Sequence, residues 1–110
     1  MSTEPLEKHG AIPGLRHSQF EDASEILKAM SNETRLKILC ALSSGELPVH
    51  KLADMTGQSS SVISQHLAKL RAVKLVEARR EAQTIYYRCL PGAGKVLVDS
   101  LCKYYNRGET

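Results

Sequence analysis

A mainly α-helical domain carrying one small β-hairpin is the architecture that this 110-residue sequence predicts. Three observations carry that reading. Apolar residues recur at helical spacing in five separate stretches, two short runs rich in β-branched and aromatic residues stand side by side late in the chain, and Gly, Pro or Ser-Asn signals separate them. The length is that of one domain, and small helical domains often complete their core by dimerising. With 42% apolar and 25% charged residues the composition is that of an ordinary folded chain, and no run approaches the roughly 18 apolar residues of a membrane span. The opening MSTEPLEKHGAIPGL has no apolar core like that of a signal peptide, so a cytoplasmic protein with no membrane partner is expected.

Residues 1–17, with Pro5, Pro13-Gly14 and no periodic apolar pattern, read as a flexible arm whose His9 and His17 are solvated. Ser18-Gln19-Phe20-Glu21 fits a capping box with Ser18 as N-cap, opening a first helix whose buried face is Ala23, Ile26, Leu27 and Met30. Ser31-Asn32 ends it. A second helix follows over residues 33–43, with Leu36, Leu39 and Cys40 on one stripe and Ile38 and Leu42 beside it, so it should be central. After Ser44-Gly45, Pro48 suits the first turn of a third helix, which buries Leu52, Ala53 and Met55 and stops at Thr56-Gly57.

The fourth helix is the one that the rest serves. Ser59 or Ser60 can cap it, and Val62, Ile63, Leu67 and Leu70 form its buried stripe. Its outer face is Ser60, Ser61, Ser64, Gln65 and Lys69. Short donors and acceptors near a helix N-terminus suit base edges in a major groove, and cations further along suit phosphates. Two short helices around one turn therefore predict a helix-turn-helix, against the plain alternative of a solvated surface.

Residues 75–78 and 84–89 are short runs that can pair, with Arg79-Arg80-Glu81-Ala82-Gln83 as a polar tip. A basic hairpin directly after a recognition helix is the wing of a winged helix. Pro91-Gly92 then precedes a last helix over residues 95–105, with Val98, Leu101, Cys102 and Tyr105 on one stripe and Leu97, Leu101 and Tyr104 on a second edge, wider than one core requires. That surplus predicts a dimer surface, the last helix joining the first two. Domain organisation is thus an arm over 1–17, a winged-helix domain over 18–106 and a short polar tail over 107–110. The charge pattern agrees with a nucleic-acid partner. Net charge is only +3, yet residues 61–110 carry nine Lys/Arg against four Asp/Glu, a basic excess from the recognition helix onward.

Over residues 20–105 or so the chain resembles the ArsR/SmtB family of bacterial winged-helix repressors. The likeness rests on Leu27-Lys28-Ala29-Met30-Ser31-Asn32-Glu33 with Arg35-Leu36 and Ile38-Leu39-Cys40, on Ser64-Gln65-His66-Leu67-Ala68-Lys69-Leu70-Arg71, and on Arg80-Glu81-Ala82-Gln83-Thr84-Ile85-Tyr86-Tyr87. Within the family it is most similar to the sulfide- and redox-responsive repressors and to a related nodulation regulator. The resemblance implies a homodimer on double-stranded operator DNA, with Ser59, Ser60, Ser61, Ser64, Gln65, His66, Lys69, Arg79, Arg80 and Gln83 at the interface. Ser60 stands where the subgroup often has Gln.

In the redox members a cysteine of the second helix pairs with one of the last helix, whereas nodulation-type members lack the pair. Cys40 matches the first position. The matching final position is Asn106, and Cys102 lies one turn earlier, about 5.4 Å along the helix. The resemblance therefore points to Cys40 and Cys102 as a sensing pair for an oxidant or persulfide. Lys103 follows Cys102 directly, so Cys102 should be modified first and Cys40 should resolve it. Cys89 reads as a buried core thiol.

Metal sensing, the family's other habit, has little to stand on. The thiolate pair of its metal sensors is replaced by Leu47-Pro48-Val49-His50, the last helix offers Asp99 but no His, and four ligands for zinc do not assemble. Neither a metal nor another cofactor is expected. An enzyme is equally poorly supported, with no CxxC, no glycine-rich phosphate loop and no carboxylate pair. The other readings are a regulator of the same fold with no thiol or metal switch, a metal-responsive repressor, and a protein-binding winged helix without salt-dependent DNA affinity.

Overall fold

The computed structural model describes residues 12–107; the expected arm up to residue 11, His9 with it, and the tail beyond residue 107 lie outside the described residues. Five helices and a three-stranded antiparallel sheet follow in the order α1 (His17–Met30), α2 (Glu33–Leu42), β1 (Leu47–Pro48), α3 (Val49–Thr56), α4 (Ser60–Ala72), β2 (Val76–Glu81), β3 (Thr84–Cys89) and α5 (Ala93–Arg107). This is the winged helix-turn-helix that the sequence predicts.

Local chemistry explains most boundaries. Helix α1 starts earlier than expected: Arg16, not Ser18, is the N-cap, because Gln19 at the third helical position accepts the Arg16 backbone N–H at 2.9 Å. His17, expected in the arm, is thus helical. Asn32 caps α2 by accepting the Arg35 backbone N–H at 3.0 Å. Gly57 ends α3 at φ 73°, in the left-handed region where a side chain would be strained. Ser59 caps α4, accepting the Val62 N–H at 3.1 Å.

The sheet corrects two expectations. Pro48 is not inside α3 but caps it, and with Leu47 it forms a short edge strand opposite Tyr86 and Tyr87, where a missing N–H is tolerated. The polar tip is also shorter than residues 79–83. Strand β2 pairs with β3 from Val76↔Cys89 to Glu81↔Thr84, leaving Ala82-Gln83 as the turn, with Ala82 at φ 56°. Strand order is β1-β3-β2, so β3 is central.

The core runs through Ile38, Leu39 and Leu42 of α2, Leu52 of α3, Ile63, Leu67 and Leu70 of α4, Leu75, Val76 and Cys89 around the sheet, and Val98 of α5. Helix α2 is central, as its wide apolar face requires. Gly94 is buried on α5, where an added Cβ would run into the Leu75 side chain. Several expected core residues are not in the core of the single chain. Leu27 is 54% exposed, Met55 59%, Leu101 41% and Tyr105 66%, and Cys40 is exposed as well. Periodicity marks an apolar face but not what covers it. Leu27, Met30, Leu36, Leu97, Leu101 and Tyr104 instead line an open hollow of about 740 Å³ between α1, α2 and α5. No helix among the described residues is long and apolar enough to cross a membrane.

Candidate nucleic-acid interface and thiol pair

Helix α4 presents its two faces as its sequence dictates. Ile63, Leu67 and Leu70 are 0% exposed, which fixes the helix on α2 and α3 and turns Ser60, Ser61, Ser64, Gln65 and Lys69 to solvent. Ser59 is also exposed, with its hydroxyl held by the cap. A row of hydroxyls and an amide followed by cations can meet base edges first and phosphates beyond.

His66 behaves differently from its neighbours. It is half-buried, and its Nδ1 lies 3.2 Å from Arg35 Nη1, while Arg35 Nε donates to the Ala29 carbonyl at 2.6 Å. A guanidinium only donates, so Nδ1 is the unprotonated acceptor. Desolvation, then the positive charges of Arg35 and Lys69, hold the imidazole pKa below its ordinary value. His66 thus ties α4 to the α1–α2 junction. Arg35 was not singled out from the sequence, although it lies in the motif around Leu36, because its partner His66 lies 31 residues later on another helix.

On the hairpin, Arg80 and Gln83 are exposed, and Arg80 makes no ion pair among the described residues. Arg79 is engaged within the chain. Its Nε and Nη2 donate to the two carboxylate oxygens of Glu46 at 2.8 and 2.7 Å, its Nη1 donates to Glu81 at 2.6 Å, and its guanidinium carbon lies 4.8 Å from the Tyr86 ring centre. Those carboxylates push the arginine pKa further up, and the same contact lowers that of Glu46. Glu46 has no motif around it; its role depends on strand pairing. Arg88 pairs with Glu77 across the hairpin.

The structure brings Cys40 of α2 and Cys102 of α5 together, with 3.5 Å between their sulfurs. The one-turn displacement of Cys102 does not separate them. Although Cys40 is open to solvent on one side, partial desolvation where it faces α5, then the hydrogen bond and the charge of Cys102, push its thiol up to about 11. Cys89 is 8% exposed, its Sγ is 3.7 Å from the Leu39 carbonyl oxygen, and burial raises its pKa. It is the core thiol that the sequence suggests. Among the described residues no group of three or more His, Cys, Asp or Glu is arranged to hold a metal ion.

Residues 32–78 match the model of the bacterial regulatory protein, arsR family. The nodulation protein NolR of Rhizobium meliloti is 44% identical over 94 residues, covering 86% of this chain and 77% of that protein. The transcriptional activator HlyU of Vibrio cholerae is 41% identical, covering 87% of this chain and 91% of that protein. The structure of reduced HlyU superposes with a TM-score of 0.77 at 42% identity, covering 80% of this chain and 93% of that one. A homodimeric winged helix-turn-helix DNA-binding domain from Mycobacterium bovis, a possible ArsR-family regulator, superposes with a TM-score of 0.73 at 29% identity, covering 88% of this chain and 93% of that one.

Proposed function

The chain belongs to the ArsR family of bacterial regulatory proteins, whose members matched here are named regulators rather than enzymes, and on that premise we propose a homodimeric repressor released from operator DNA when Cys40 is joined to Cys102. DNA binding and transcriptional regulation follow from the family; the switch and the sign of regulation are our reading.

Two copies of α4 enter successive major grooves about one helical turn apart, with the hairpins against the flanking backbone. Ser61, Ser64 and Gln65 read bases, Ser59 and Ser60 lie at the groove edge, and Lys69, Arg80 and Gln83 hold the backbone. His66 supports this surface from behind through Arg35. The second copy covers the hollow lined by Leu27, Leu97, Leu101 and Tyr104, a reading supported by the exposure of these side chains and by the homodimeric M. bovis domain. Occupied operator then excludes the transcription machinery.

The observation that carries the switch is the 3.5 Å between the two sulfurs. With a hydroperoxide, the Cys102 thiolate attacks one peroxide oxygen, giving a sulfenic acid and releasing the alcohol or water. Cys40 then displaces water to form the disulfide, two thiols having lost two electrons and two protons. With an inorganic polysulfide, the Cys102 thiolate attacks an inner sulfur and expels hydrosulfide, taking up a chain of two or more sulfurs. Cys40 then attacks Cys102 Sγ and expels the whole chain, giving a disulfide, or attacks the sulfur bonded to Cys102 Sγ and expels the rest of the chain as hydrosulfide or hydropolysulfide, leaving one extra sulfur in the link. Cys102 acts first because the Cys40 thiol is held largely protonated. Either bridge ties α2 to α5, two elements of the proposed dimer face, and so changes the spacing of the recognition helices. A shift from mostly bound to mostly free requires about 5.5 kcal/mol of preference between the two geometries, and a covalent link can impose it.

The test is a reporter driven by the promoter of the protein's own locus, with the protein supplied in trans. Repression that polysulfide lifts, and that becomes constitutive in Cys102→Ser, is expected; repression indifferent to polysulfide means a regulator of the same fold without a thiol switch. A reporter that rises when the protein is supplied makes it an activator.

A further inference from the structure

On the reading that the hairpin touches DNA, we propose that Arg79 is a positioning residue that fixes the wing from within the protein, and that it makes no phosphate contact of its own. Sheet order makes the case. Arg79 lies on β2, Glu46 immediately precedes β1, and β3 runs between those two edge strands. In register, Tyr86 of β3 faces Arg79 on one side and Pro48 on the other. The Arg79 side chain therefore crosses the central strand over the Tyr86 ring, 4.8 Å from its centre, and forks onto both Glu46 oxygens on the far side.

One guanidinium thus fastens three strands at a single level. The third contact, from Nη1 to Glu81, draws in the last residue of β2 before the turn. Above that level only Arg80, Glu81, Ala82 and Gln83 project before the chain returns at Thr84, so the clamp stands at the base of the reaching part of the hairpin. A lone exposed ion pair holds little, but a planar fork met by a carboxylate in bidentate fashion, backed by an aromatic face and a second carboxylate, is the arrangement that fixes direction. To reach a phosphate, Arg79 would have to leave both carboxylates. Arg80, on the other face of the same strand, is under no such constraint.

Positioning and direct contact predict opposite signs for one substitution. Glu46→Ala removes an anion from a DNA-binding protein, which by charge alone tightens binding. If Glu46 acts by holding Arg79, the same change weakens it. We expect Glu46→Ala and Arg79→Lys each to weaken binding of a duplex from the promoter of the protein's own locus by about threefold to tenfold, the double variant to be no weaker than either, and the salt slope to stay that of the wild type. Arg79→Lys keeps the charge and loses the fork, so a phosphate contact would survive it. Amide exchange over residues 79–86 of the DNA-free protein should quicken in both variants, reading the clamp independently of DNA. Tighter or unchanged binding by Glu46→Ala, wild-type binding by Arg79→Lys, or unchanged exchange overturns the clamp. A wild-type protein without salt-dependent affinity overturns instead the reading on which the clamp rests, and the exchange data keep the two failures apart.

Discussion

Cys40 Sγ and Cys102 Sγ stand 3.5 Å apart across the contact between α2 and α5, within reach of a thiol hydrogen bond and not covalently joined. A disulfide needs about 2.05 Å, so roughly 1.5 Å of closure joins them. Val98 of α5, 1% exposed and one turn before Cys102, lies in the same core as Ile38 and Leu39 of α2. Closing the pair therefore pulls on a packed helix.

Limited oxidation of the reduced protein with peroxide or polysulfide should give one linked peptide pair, Cys40 with Cys102, leaving Cys89 alkylatable after unfolding. Cys40 is held up to about 11, so at pH 7 iodoacetamide should label Cys102 before Cys40 in the native protein. Peptide mapping by mass spectrometry reads both. Cys40 labelled alone, or a bridge that includes Cys89, contradicts the order proposed.

His66 gives the fold a pH dependence of known sign. Its folded-state pKa lies below the ordinary value of about 6.5, so near and below that pH the unfolded chain binds more protons than the folded one. The stability it supports is complete above about pH 6.5 and is lost as pH falls through the depressed folded value. Melting temperature should therefore fall between pH 7.5 and pH 5.5 by more in the wild type than in His66→Asn, whose Oδ1 replaces the Nδ1 acceptor for Arg35. Equal falls mean that the Arg35 contact does not set the titration.

Much of this was legible in the sequence because it is local. A serine cap at Ser59 or Ser60, the Ile63, Leu67 and Leu70 stripe, the outward row from Ser60 to Lys69 and the β3 limits at Thr84 and Cys89 follow from spacing alone. What escaped depends on packing between distant segments. Periodicity assigned Leu27 and Met55 to a core, since an apolar stripe looks the same whether its own chain or something else covers it, whereas Leu101 already lay on the surplus edge of the last helix. Arg79 read as a DNA contact because its carboxylate partner lies 33 residues earlier, brought near only by the pairing of β1 with β3. The nearness of Cys102 to Cys40, 62 residues away, was by contrast expected, though from the family resemblance and not from any spacing rule.

The division of labour on the DNA surface separates by two substitutions. Gln65→Ala should cost about 1–3 kcal/mol on the preferred operator and much less on unrelated duplexes, relaxing sequence preference. Arg80→Ala should weaken all sequences alike and flatten the salt slope by about one unit per subunit. Titrations of matched and scrambled duplexes at several salt concentrations check this. Identical behaviour of the two variants refutes the assignment.

Leu101→Glu places a charge in the hollow that the second copy is proposed to cover. At 41% exposed in the single chain the new side chain is tolerated by the fold, so helical content should survive while the dimer dissociates. Sedimentation velocity should find a monomer and anisotropy a loss of operator affinity. An intact dimer places the interface elsewhere.

The measurement closest to the central claim is operator affinity by fluorescence anisotropy on promoter DNA from the protein's own locus, in four states: reduced, polysulfide-treated, re-reduced, and treated Cys102→Ser. Zinc serves as the metal control. The account predicts tight binding when reduced, at least tenfold weaker binding after treatment, recovery with reductant, and no loss in Cys102→Ser, with zinc inert. Equal affinity in all four states contradicts it and leaves Cys40 and Cys102 as neighbouring thiols with no switching role in a regulator controlled by other means.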